Sequence, residues 1–140
     1  MTQEKKSASP GWIAFALAIT SSLFTGLVLF VLLWIVGMIF PNVPYETIMA
    51  SPFGLLAFSL LTYVVLWFCT ASQAKFVRER YLIASYPTIV IYAVIAFVVL
   101  DVLTFGIGWW QGYVWGWQDY VGSLVSLAVF YFSAKRHVHA

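Results

Sequence analysis

Long apolar runs separated by short polar segments are the dominant pattern along this chain. Four of these runs approach or exceed the roughly 20 residues that a helix needs to cross a bilayer. They cover residues 11–40, 53–74, 88–110 and 117–134. The runs are continuous rather than alternating, which excludes the strands of a membrane barrel. Pro41, Pro52 and Pro87 lie where helices should begin or end. The pattern predicts an all-α integral membrane four-helix bundle, with residues 1–140 forming a single membrane domain.

The positions of the basic residues predict how this bundle is oriented. All of them precede the first run, follow the fourth, or lie between the second and third: Lys5, Lys6, Lys75, Arg78, Arg80, Lys135 and Arg136. The other two connections contain no Lys or Arg. The positive-inside rule therefore predicts that both termini are cytoplasmic.

Composition excludes several classes of protein. Apolar residues make up 63% of the chain and charged residues only 9%, whereas soluble domains average about 25% charged residues. A net charge of +2 is too small for a nucleic-acid binder. The single cysteine, Cys69, excludes an intrachain disulfide. The apolar runs contain no histidine to ligate haem and no acidic cluster to hold a metal. We therefore expect no cofactor, no metal and no enzymatic activity.

Asp101 is the one ionisable residue placed well inside an apolar run. A charge at that depth costs several kcal/mol unless it is paired, hydrated or protonated, which makes it a candidate functional residue. Thr104 follows one turn later and could donate a hydrogen bond to the carboxylate. Asp101 and Thr104 are therefore the candidate intramembrane polar site. The alternative is an inert carboxylate near the hydrated rim of the membrane.

Small residues at a spacing of four predict where helices approach each other, because close backbone contact drives helix association in lipid. Two runs contain such residues: Ala14, Ala18, Ser22 and Gly26 in the first, and Gly122 and Ser126 in the fourth. We interpret both sets as helix-packing contacts.

The connection between the third and fourth runs is rich in aromatic residues. It contains Trp109, Trp110, Trp115 and Trp117. Indole rings favour the headgroup level of a bilayer, so we interpret these four residues as an interfacial aromatic belt.

Two basic clusters adjoin the ends of the apolar runs. Lys75, Arg78 and Arg80 lie in the predicted loop between the second and third runs, and Lys135 and Arg136 follow the fourth. Such clusters attract anionic lipid headgroups or a partner protein, or they serve only to set topology. His137 and His139 are expected to lie in a solvated tail.

Three local sequences together resemble a family of short bacterial inner-membrane proteins known only as a four-span domain of unknown function. They are the Gly11–Trp12 pair, the segment KFVRERYLIASYP at 75–87, and the ending VFYFSAKRHV at 129–138. This chain has Pro10 where the family pattern has a second glycine. The resemblance implies a multi-pass protein of the bacterial inner (plasma) membrane, and it implies no catalytic residues.

Two functional hypotheses follow from these features. The first is a non-catalytic accessory subunit that packs against a larger membrane protein complex, because the loops are short and catalytic groups are missing. The second is an oligomeric small-solute or lipid carrier or channel that uses Asp101 as a proton or cation site. The expected partners are membrane lipids and either a membrane protein or further copies of the chain. An enzyme at the lipid interface is the least favoured possibility.

Overall fold

The computed structural model describes residues 4–139, which form an all-helical structure with no strand in this part of the chain. The helices are α1 (Pro10–Ile39), α2 (Tyr45–Ala50), α3 (Pro52–Arg80), α4 (Tyr86–Trp110) and α5 (Trp117–His139). The four predicted helices correspond to α1, α3, α4 and α5. The short α2 was not expected, since residues 41–52 were interpreted as a loop.

Serine and proline residues define where the long helices begin. The Ser9 hydroxyl accepts a hydrogen bond from the Trp12 amide at 3.3 Å, and the Ser51 hydroxyl accepts one from the Gly54 amide at 3.1 Å. A proline occupies the first turn of α1, α3 and α4, where its missing amide hydrogen costs nothing. These caps explain why the predicted helix starts agree closely with the structure.

Two helices extend farther than predicted at their C-terminal ends. α3 continues from the expected end near residue 74 to Arg80, and α5 continues from 134 to His139. Val77 and Val138 are both buried, so the apolar face persists through these last turns. Basic residues at helix C-termini are also favoured by the helix dipole. The two basic clusters therefore lie on helices, and the predictions of a loop and a solvated tail were wrong.

The four long helices form a ring in the order α1, α3, α5, α4, and α2 packs on α3. Consecutive helices α3 and α4 lie across the bundle from each other, as do α1 and α5. Lys6 pairs with Tyr81 in a β-bridge, so the segment before α1 is clipped to the end of α3. The Lys6 amide donates to the Arg80 carbonyl at 2.8 Å, and the Leu82 amide donates to the Lys6 carbonyl at 3.0 Å.

Burial divides the bundle into two halves. We call residues 4–25, 65–97 and 130–139 the basic half, and residues 26–64 and 98–129 the open half. Within residues 4–139, every buried residue belongs to the basic half except Gly54 and Gly108.

Buried alanines allow the helices of the basic half to approach closely. Each long helix contributes at least one alanine that is at most 1% exposed: Ala14, Ala18, Ala74, Ala93 and Ala134. Phe97 and Phe130 are also buried, and their rings stack at 4.6 Å on the side facing the open half. The packed core therefore ends at this aromatic pair.

The predicted packing stripe on α1 is correct at two of its four positions. Ala14 and Ala18 are buried, but Ser22 is only half-buried and Gly26 is exposed. The buried face continues instead through Ser21 and Thr25. A strict spacing of four drifts around a helix with 3.6 residues per turn, so alternating steps of three and four keep one face inward.

Three helices, α1, α3 and α4, are long and apolar enough to cross a membrane. α5 has 23 residues, but polar side chains lie at both of its ends, among them Asp119 and Arg136. The structure therefore supports a helical membrane protein.

Candidate functional site

Asp101 lies on α4 one turn beyond the aromatic pair that ends the packed core. Its side chain is half-buried and faces α5. The Ser123 hydroxyl donates a hydrogen bond to the Asp101 carboxylate, with 2.6 Å between Oγ and Oδ2. This bond joins α4 to α5 inside the open half.

Thr104, the other predicted member of the site, does not contact the carboxylate through a hydrogen bond. Its side chain is exposed, and its hydroxyl donates to the Leu100 carbonyl of the same helix at 2.9 Å. A threonine hydroxyl in a helix commonly donates its hydrogen to a backbone carbonyl of the preceding turn. That hydrogen is then not available to the Asp101 carboxylate. Ser123 was not among the predicted site residues. α4 and α5 are joined by a short connection, and Asp101 and Ser123 lie at similar distances from it along the two helices. This similarity is the sequence signal that could have identified Ser123.

Within residues 4–139, the basic side chains lie toward the opposite end of the bundle from Asp101. Lys135 is the nearest in sequence to Ser123 on α5, and twelve residues of helix separate the two by about 18 Å. An ion pair requires approach to about 4 Å. The carboxylate is thus held by one hydroxyl, and it retains capacity to accept a further hydrogen bond, a cation or a proton.

The surface around this pair is apolar. Val102 and Leu124, the neighbours of Asp101 and Ser123, are 62% and 67% exposed. Gly122 is half-buried, and a side chain there would meet the Tyr63 hydroxyl of α3. Ser126 is also half-buried. We call the surface formed by Asp101, Val102, Ser123 and Leu124 the α4–α5 seam.

The predicted aromatic belt divides into two kinds of residue. Trp109, Trp110 and Trp117 are exposed at the end of the open half. Trp115 is half-buried instead, and its indole Nε1 donates to the Phe105 carbonyl at 3.0 Å. Its ring packs on Gly108, where any side chain would overlap it. Trp115 therefore fixes the α4–α5 connection and is not a free interfacial ring.

The five basic residues on α3 and α5 lie at one end of the bundle with different partners. Arg78 is half-buried and donates to the His137 carbonyl at 3.4 Å. The Arg80 guanidinium lies 5.0 Å from the centre of the Phe76 ring, and Lys135 Nζ lies 5.8 Å from that of Tyr131. The remaining two, Lys75 and Arg136, are exposed.

His137 is part of the bundle rather than of a tail. It is half-buried, and its Nδ1 lies 2.8 Å from the Ser133 carbonyl oxygen. Its ring meets the Trp67 indole edge-on at 5.7 Å. Ser133, which is fully buried, donates its hydroxyl hydrogen to the Trp67 carbonyl at 2.8 Å. Among residues 4–139, no group of three potential metal ligands comes together.

No protein-family model, curated protein or solved structure matches the chain. The resemblance to the four-span family remains a prediction. The molecule's own polar groups, above all the Asp101–Ser123 pair, are what point to a function.

Proposed function

We propose that this protein is a non-catalytic accessory subunit of a larger complex in the bacterial inner membrane. In this proposal α1, α3, α4 and α5 all span the bilayer, and both termini are cytoplasmic. α5 completes the ring by packing against α3 and α4, which favours a fourth span despite its polar ends. The seven basic residues all lie at or near one end of the bundle, which is the distribution that the positive-inside rule assigns to the cytoplasm.

The observation that carries the proposal is that, among the described residues 4–139, the Asp101 carboxylate accepts a hydrogen bond from the Ser123 hydroxyl alone. A carboxylate in a membrane segment is costly and normally pairs with cations, donors or water. Here the chain supplies one hydroxyl, and its basic residues are out of reach. A donor from another protein would complete the site.

The α4–α5 seam provides the surface for that donor. Apolar side chains flank the Asp101–Ser123 pair and suit a transmembrane helix, while the carboxylate suits a lysine, arginine or hydroxyl on that helix. A partner helix bearing one such residue would cover the seam and satisfy the remaining acceptor capacity of Asp101.

Site-specific photo-crosslinking in native membranes tests this proposal. A photoreactive residue at position 124 should form an adduct with one second protein, and Asp101→Asn should reduce the yield of that adduct several-fold. Phe68 is the matched control, because it is also 67% exposed but lies on α3. An adduct that is unchanged by Asp101→Asn, or that forms equally from position 68, would contradict the accessory role of the seam.

The second candidate is an oligomeric carrier or channel in which Asp101 binds a proton or a cation. The open half favours it, because the helices leave Asp101 only half-buried there. In proteoliposomes with an imposed pH gradient, this candidate requires ion or solute flux that Asp101→Asn abolishes and Thr104→Val leaves unchanged. The position-124 probe would then give adducts of this chain with itself.

A further inference from the structure

We infer that the groove between α3 and the last turns of α5 is a binding site for one anionic glycerophospholipid. The groove is open to its surroundings, has a volume of about 610 Å³ and is lined by Trp67, Phe132, Lys135, Arg136 and His139. It lies in the basic half, away from the α4–α5 seam, so the inference does not depend on the proposed function.

The charges lining the groove select an anionic group. Lys135 and Arg136 are both exposed, and none of the lining residues is acidic. The Lys135 ammonium is held near the Tyr131 ring, which restricts the side chain without neutralising it. Two adjacent cations without a counter-charge fit a phosphodiester, because Arg binds phosphate oxygens through paired donors and Lys acts as a point charge.

The apolar lining selects a lipid over a soluble phosphate. Phe132 precedes Arg136 by four residues, so it lies about one turn deeper toward the middle of the bundle. Trp67 forms the opposing wall from α3. A phosphate bound by Lys135 and Arg136 would therefore have its acyl chains directed along Phe132 and Trp67.

The wall formed by Trp67 is held in place by buried contacts. Ser133 bonds the Trp67 carbonyl, and His137 packs edge-on against its indole. Arg78 in turn donates to the His137 carbonyl. The Trp67 wall is therefore in place before a lipid arrives, which lowers the entropic cost of binding.

This assignment separates the basic residues into two groups. Lys135 and Arg136 line the groove, whereas Arg80 lies beside Glu4, Lys6 and Glu79 on another surface. Lys75 is exposed on α3 and does not line the groove. Removing two positive charges from one group or from the other tests whether lipid binding depends on a defined site. A diffuse surface potential would be weakened equally by both removals.

Native mass spectrometry of the full chain in detergent micelles tests the site. With added phosphatidylglycerol, one lipid should stay bound, and phosphatidylcholine should bind far more weakly. The double variant Lys135→Gln/Arg136→Gln should lose about 25-fold in affinity, about fivefold for each basic side chain. The control Lys75→Gln/Arg80→Gln removes the same charge and should stay within about twofold.

A second pair of variants tests the acyl-chain wall. Phe132→Ala should weaken phosphatidylglycerol binding several-fold, whereas Phe68→Ala, at a similarly exposed position outside the groove, should not. Equal losses in the two charge variants, or no loss in Lys135→Gln/Arg136→Gln, would overturn the site. If inorganic phosphate displaces the lipid at equal concentration, the groove recognises a soluble anion and the lipid assignment is wrong.

Discussion

The basic half and the open half are built from the same four helices, yet only one of them has a core. In the basic half, alanines such as Ala18 and Ala134 are fully buried. In the open half, no residue of α1 from 26 to 39 is buried. Small side chains allow backbone approach in lipid, and bulky ones hold helices apart. The contrast shows that a uniformly apolar sequence still specifies where a bundle is tight.

Removing the Phe130 ring, which lies at the end of the packed core, should have the largest effect on stability. Phe130→Ala deletes a fully buried side chain stacked on Phe97 and should cost about 3–5 kcal/mol of stability. Leu124→Ala on the same helix removes a side chain that is 67% exposed and should change little. Thermal unfolding in detergent measures both variants. Similar losses would mean that the two halves are equally packed.

Enlarging a buried alanine should have the next largest effect. Ala134→Leu introduces bulk where the alanine is 0% exposed, and overpacking of this kind costs about 1–3 kcal/mol. Ala128→Leu adds the same atoms to an exposed position of α5 in the open half and should be neutral. If both variants melt at the same temperature, the helices of the basic half are not in close contact.

Two glycines of α4 test the tight contact between Gly108 and Trp115 in the open half. Gly108→Ala should displace the Trp115 ring and offset any gain in helix propensity. Gly106 has open space around it, so Gly106→Ala should stabilise the protein by up to about 1 kcal/mol. A higher melting temperature for Gly106→Ala but not for Gly108→Ala would confirm the Trp115 contact, and equal gains would contradict it.

The smallest expected effect concerns the hydrogen bond across α4 and α5. Ser123→Ala removes the donor to Asp101 and should cost about 0.6 kcal/mol, which is the average for such bonds in membranes. Thr104→Val removes a hydroxyl that bonds its own helix and should cost less. A double-mutant cycle with Asp101→Asn isolates the coupling. If Asp101 is coupled to Thr104 rather than to Ser123, Thr104 is the hydrogen-bond donor to the carboxylate.

Most of the helical structure could be predicted from the sequence because its signals are local. Continuous apolar runs and the prolines at their ends indicate four long helices, and the structure has long helices there. α2 was not predicted, because a helix of six residues is too short to show a periodic pattern of apolar residues. Its Tyr45 hydroxyl lies 2.6 Å from the Phe40 carbonyl oxygen and 2.9 Å from that of Val36 at the end of α1, so its one hydrogen can be donated to either. This contact depends on the turn in between.

Of the two residues in the candidate site, only Asp101 could be predicted from the sequence. Asp101 stands out in the sequence because charge is rare at that depth. Its partner depends on how α4 and α5 are aligned and rotated, which the apolar pattern does not specify. Thr104 was chosen because it is close in sequence, whereas Ser123 is close in space. His137 was assigned to a tail for a similar reason, because its contact with Trp67 joins two distant parts of the chain.

The position of α5 between α3 and α4 means that the ring is complete only after this helix has been made. The chain emerges from the ribosome N-terminus first, and α1 contacts only helices that are made later. α3 and α4 follow each other but lie on opposite sides of the ring, so neither shelters the other. Until α5 is made, α3 and α4 each contact α1 but lack the helix that lies on their other side in the ring. α5, which is made after α1, α3 and α4, therefore closes the ring.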